Sequence, residues 1–160
     1  MIEVITAVAK TETEGVRIFL AGGITNCKNW QADLIKKMKE QNIDEGIDLP
    51  ILLFNPRREN FPIDDPNASR EQIEWEFNEL RDAHIIIFWF SKGSLNPIVL
   101  YELGMWGNSR GIPIVVGIDE GYERQQDVEI QTMLARDDVT IVYSLDDMVK
   151  EVNDILGEIA

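Results

Sequence analysis

One carboxylate stands alone in an apolar stretch. In Pro97-Ile98-Val99-Leu100-Tyr101-Glu102-Leu103-Gly104-Met105-Trp106, Glu102 is the sole charged residue before Arg110. Asn96-Pro97 predicts a helix start, an N-cap followed by a proline at the first helical position, and the helix is expected to run to about Ser109. It is apolar around nearly its whole circumference, so it is expected to be largely buried, with Glu102 on a face shared with Ile98, Met105 and Trp106. A dry, unpaired carboxylate there costs several kcal/mol, so Glu102 must be paired, protonated or open to a cavity. Two readings stand side by side: a structural Glu satisfied by a backbone donor or an Arg, and a reactive carboxylate kept out of water. Gly104 lets a backbone or a ligand come close.

Other residues could serve the same chemistry. Gly22-Gly23-Ile24 follows an apolar run and lets the backbone approach a ligand, although a tight turn explains it equally and no phosphate-loop fingerprint is present. Asn55-Pro56-Arg57-Arg58 places two cations in one loop, suited to a phosphate or carboxylate, or else to salt bridges in water. Ser69-Arg70-Glu71-Gln72 has the form of a capping box and opens a predicted helix to about Arg81. That helix carries Glu71, Glu74, Glu76 and Glu79, a solvated face from which one acid could turn inward as a general acid. Trp75 among them could stack on a planar base or pack in the core. Asp82 and His84 flank the amino end of a strand, away from any site at its carboxyl end. One His and one Cys make no zinc site, and no Ser-His or Cys-His nucleophile pair is visible.

The elements that must position these residues alternate. Strands are predicted at Val16–Ala21, Pro50–Phe54, His84–Phe90, Ile112–Ile118 and Val139–Tyr143. Helices are predicted at Asn29–Gln41, from Ser69, from Asn96, and after Ser144, where Leu145, Met148, Val149, Val152, Ile155 and Leu156 recur at helical spacing. Residues 120–136 read as a loop with a short helix, and residues 1–15 as an N-terminal lead. The run from His84 to Phe90 is apolar at both parities, as in a strand covered on both faces. Strand-helix alternation then implies one α/β domain over residues 1–160, a doubly wound, flavodoxin- or Rossmann-like five-stranded parallel sheet with helices on both sides. Ligands of such sheets bind beyond the carboxyl ends of the strands. This directs attention to Gly22-Gly23, residues 55–58, residues 91–96 and the stretch after Gly117.

The 160 residues, 44% hydrophobic with 11 Gly and 6 Pro, suffice for one folded core and exclude a disordered or low-complexity chain. No window is apolar for long enough to span a membrane. The first ten residues lack the basic and apolar regions of a secretory leader, and the single Cys27 cannot form an internal disulfide, so a cytoplasmic protein is expected. Twenty-nine acidic against 15 basic residues, a net charge of −14, disfavour a nucleic-acid polymer or an anionic membrane as partner.

Taken together, Phe19-Leu20-Ala21-Gly22-Gly23-Ile24, Trp30, Phe54-Asn55-Pro56-Arg57-Arg58, Gln72-Ile73-Glu74-Trp75-Glu76, Asp82 and Tyr101-Glu102-Leu103-Gly104 resemble the nucleoside 2-deoxyribosyltransferase-like family, most closely its short bacterial and phage branch. The resemblance covers roughly residues 16–118, and Glu-x-Gly is its most specific element. It implies that Glu102 is a nucleophile that takes the sugar of a 2'-deoxynucleoside as a covalent ester, to be released to another base or to water. It implies a sugar contact at Asn96 and a base-handling acid at Glu74 or Glu76. Gly22, Gly23, Ile24, Asn55, Arg57 and Trp75 would line the substrate site. No cofactor is called for. The partners implied are a nucleoside or nucleotide, a free base, and further copies of the chain in a homodimer or larger assembly. The alternative is a nucleoside- or nucleotide-binding module of the same fold without turnover.

Overall fold

A computed structural model describes residues 1–159 and shows a six-stranded, wholly parallel sheet. In chain order the elements are β1 (Ile2–Thr6), β2 (Val16–Gly22), α1 (Trp30–Glu40), β3 (Ile51–Asn55), α2 (Ala68–Arg81), β4 (Ile85–Phe90), α3 (Pro97–Trp106), β5 (Ile114–Ile118), α4 (Gln125–Ala135), β6 (Ile141–Val142) and α5 (Leu145–Ile159). The sheet order is β1-β3-β2-β4-β5-β6. With β1 set aside this is the doubly wound, flavodoxin-like order predicted from the alternation.

The sixth strand corrects the expected count of five. Residues 2–6 of the lead pair in parallel with β3, Ile2 beside Ile51 through Thr6 beside Asn55, and form one edge of the sheet. Alternation of side chains divides the core into two layers. Phe19, Ala21, Phe54, Ile86, Phe88 and Phe90 pack under α2, α3 and α4 through Trp75, Leu80, Val99 and Val128. Ile18, Leu20, Ile51, Leu53, Ile85 and Ile87 face α1 and α5, meeting Leu34, Met38, Met148 and Val152.

Helix starts differ from expectation where a polar side chain has another task. Asn29 caps α1, its side chain accepting from the Ala32 amide at 3.1 Å, and Ser144 holds the Asp147 amide at 3.1 Å. Ser69 does not open α2. The helix begins at Ala68, and Gln72, the other half of the expected capping box, is turned inward. Asn96 occupies the residue before α3 but makes no side-chain cap; it sits at φ 50°, and Pro97 behind it has no amide to bond. Residues 125–135 form a full three-turn helix. Most consequentially, α3 is not largely buried. Val99 and Glu102 face inward, while Ile98 and Tyr101 are 63% and 66% exposed, because one side of α3 lies on the sheet and nothing among the described residues covers the other.

Candidate active site

From β2 the chain passes to β3 on one side, and from β3 it crosses to β4 on the other. The loops leaving β2 and β4 therefore diverge at the switch point of the sheet, where a crevice opens. A cavity of about 280 Å³ lies there. Its walls are the Ala21–Thr25 segment at and just beyond the end of β2, Pro56 after β3, Glu76 of α2, Ser94 and Asn96 after β4, and the first turns of α3 with Val99 and Glu102.

The glycines set the shape of this wall. A Cβ on Gly22 would lie 2.2 Å from the Trp30 ring, and one on Gly23 would lie 1.8 Å from Asn96 Oδ1. Asn96 is buried, and its Nδ2 donates to the carbonyls of Ser91 and Ser94, each at 2.9 Å. Those two bonds close the β4–α3 loop on itself and leave Oδ1 facing Gly23.

Two carboxylates enter the cavity. Glu102, 9% exposed, has its pKa pushed up to about 8, first by burial and then by the charge of Glu76; among the described residues no cation or hydrogen-bond donor opposes that push. Burial also raises Glu76, against a hydrogen bond from Gln72 Nε2 at 2.6 Å that favours its anion. The same Nε2 donates to the Pro56 carbonyl at 2.7 Å, so Gln72 ties Glu76 to the loop after β3. Both acids are raised and face the same low-dielectric space, so a second negative charge there is disfavoured, an arrangement that can supply an acid beside a nucleophile.

The structure sorts the residues singled out in the sequence. Glu102, Glu76, Gly22, Gly23, Ile24 and Asn96 converge on the cavity. Glu74 does not: it is exposed and paired with Arg70 at 2.7 Å, one helical turn away. Trp75 is core, its ring 6.1 Å from Phe19 and 6.2 Å from Phe54, with Nε1 donating to the Ala9 carbonyl at 2.7 Å, so no face is free to stack on a base. Arg57 holds protein instead of facing the cavity. Its Nε donates to Gln31 Oε1 at 2.9 Å, and Nη2 to the carbonyls of Gly23 and Lys28 at 3.2 and 3.0 Å. Asn55 serves the same loop, its Oδ1 accepting from the Arg57 amide at 3.0 Å. Pro56 and Ser94 lie in the loops after β3 and β4 to which the sheet pattern pointed, whereas the inward turn of Gln72 was missed. The four-residue spacing of Gln72 and Glu76 was a usable signal, since such pairs meet on a helix. Among the described residues, no three His, Cys, Asp or Glu side chains converge to hold a metal ion, and no helix is long and apolar enough to cross a membrane.

Residues 15–122, well over half the chain, match the family model described as nucleoside 2-deoxyribosyltransferase like. The chain belongs to that family. Every residue lining the carboxylate cavity falls inside the matched span, as does the whole sheet from β2 to β5. The last matched residue, Tyr122, donates its hydroxyl to the Leu95 carbonyl at 2.7 Å and packs on Phe90, bracing the β4–α3 loop. Membership in the nucleoside 2-deoxyribosyltransferase-like family points to a nucleoside-type small molecule as ligand. No curated protein matches the chain significantly.

Proposed function

We propose that this chain cleaves the N-glycosidic bond of 2'-deoxynucleosides by double displacement on Glu102. The observation that carries this reading is a pair of carboxylates, Glu102 buried without any counter-charge and Glu76 half-buried, meeting in a cavity at the switch point. In the first step a Glu102 carboxylate oxygen bonds to the anomeric carbon. The bond from that carbon to the base breaks with its electron pair going to the base nitrogen, and the proton held by the pair passes to the base from Glu76. In the second step a new base, or water, attacks the same carbon. The ester bond returns its electrons to Glu102, and Glu76 accepts the proton released by the attacking group. Two inversions give net retention, and the low-dielectric pocket favours an oxocarbenium-like transition state beside an anion.

A cavity of 280 Å³ suits the sugar, with the base reaching toward the mouth beside Ile98. Its walls contain no Arg or Lys, which favours a nucleoside over a 5'-monophosphate. The same reading includes self-association. Ile73 and Phe77 of α2 and Ile98, Tyr101 and Met105 of α3 leave an exposed apolar surface at the mouth, which a second copy would cover. The unpaired Cys27 fits a reducing, cytoplasmic setting.

The test is chromatographic: incubation with a panel of 2'-deoxynucleosides and their monophosphates, with and without a second free base, beside Glu102→Gln. A new nucleoside formed only when the second base is present establishes transfer, and free base alone establishes hydrolysis. No turnover in any mixture, with ligand still bound and the variant equally stable, would replace the enzyme with a binding module.

A further inference from the structure

A second cavity is larger than the one that holds the carboxylates. It measures about 1110 Å³ and lies beyond the carboxyl ends of β1 and β3, against α1, on the far side of Ile24 from the candidate active site. Lys36, Lys39, Arg57 and Arg58 line it, four of the chain's 15 basic residues, against two of its 29 acids, Glu40 and Glu59. The one ion pair among these six, Lys36 with Glu40, is long at 3.7 Å and solvent-exposed. Arg58 is held with its guanidinium 5.5 Å from the Phe61 ring, and its Nη1 is buried without a hydrogen-bond partner. A donor in that state is costly unless an acceptor meets it.

We propose that this cavity is a binding site for a phosphorylated small molecule of about nucleotide size, separate from the carboxylate pocket and independent of the reaction assigned to it. Lys36, Lys39 and Arg58 around one space, with Arg57 adding its charge while its donors hold the loop before α1, suit a phosphate dianion better than a single carboxylate. At physiological salt, charges beyond about 8 Å are screened. An anion in the cavity therefore responds chiefly to these four cations and the two acids Glu40 and Glu59, a local excess of positive charge, and much less to the net charge of −14. The volume far exceeds that of a phosphate ion, and the floor formed by Val4, Ala32 and Ile35 offers apolar surface to the organic body. The site of the phosphate is thus set by charge, and that of the body by burial.

Titration of the whole chain with inorganic phosphate, AMP and adenosine, followed by backbone amide resonances, tests the assignment. Phosphate and AMP are expected to shift residues 29–39 and 55–60, with adenosine binding at least tenfold more weakly than AMP. Arg58→Gln, and Lys36→Gln with Lys39→Gln, are each expected to weaken AMP at least tenfold, whereas Glu102→Gln leaves it as in the wild type. The proposal falls if adenosine binds as well as AMP, if the charge variants bind AMP unchanged, or if the shifts centre on Gly23, Asn96 and Glu102.

Discussion

Glu102 holds a proton at neutral pH that its proposed reaction requires elsewhere. With its pKa near 8 and Glu76 also raised, the competent form is the singly protonated pair, acid on one member and anion on the other. The dependence of kcat/KM on pH is therefore expected to be bell-shaped, with an alkaline limb near 8 where the last proton leaves. A rate that stayed level from pH 7 to 10 would show that the pair does not hold the transferred proton. Stability follows the same group. The folded pKa lies above that of an unfolded Glu, about 4.3. Glu102 thus costs nothing below about pH 4, destabilises progressively as pH rises to about 8, and beyond that carries the full penalty of a buried anion. Glu102→Gln is expected to gain little unfolding free energy at pH 4.5 and up to a few kcal/mol at pH 8.5, read by denaturant unfolding. Equal effects at both pH values would contradict this, and a loss of stability would assign Glu102 to a structural role. Glu102 was legible in the sequence because a lone charge in an apolar helix must be explained. The choice between Glu74 and Glu76 was not, since both lie on α2 and only the packing of Trp75 against Phe19 and Phe54 decides which acid turns toward the sheet.

At the scale of elements, the site depends on how residues 22–28 are held. Trp30 Nε1 and Arg57 Nη2 both donate to the Gly23 carbonyl, at 3.1 and 3.2 Å, while Asn96 presses against Gly23 from the α3 side. Gly23→Ala is expected to displace Asn96 and lower kcat/KM at least tenfold with little loss of secondary structure, read by steady-state kinetics beside circular dichroism. Arg57→Gln releases the carbonyls of Gly23 and Lys28 and leaves Gln31 Oε1 without its donor; a loss of about 1–3 kcal/mol in denaturant unfolding is expected. An unchanged midpoint would show that the clamp carries no energy. Patterning located these loops correctly but misjudged single residues. Ser69 and Asn96 have the right chemistry for caps, yet burial beside the cavity recruited Gln72 and Asn96 to bind loop carbonyls. A local motif cannot report a competing tertiary partner.

For the molecule as a whole, strand and helix periodicity were enough to read the doubly wound sheet. The missed strand β1 is an edge strand whose mixed run, Ile-Glu-Val-Ile-Thr, gains its identity only from pairing with β3. The misjudged burial of α3 has the same origin: an apolar circumference announces contact on every side without saying whose. Wild-type protein is therefore expected to elute with at least twice the mass of the 18.3 kDa chain, and Tyr101→Asp to return it toward the monomer. Light scattering after size exclusion would read both, and a monomeric wild type would leave the apolar face without its proposed occupant. The wedging of Trp30 against Gly22 carries one more consequence. The indole is buried, sits 6.4 Å from Trp89 and is bonded to the loop that forms the pocket wall. Any rearrangement of that wall must change the indole's surroundings, so the chain carries an optical reporter of pocket occupancy, readable by intrinsic fluorescence without a label.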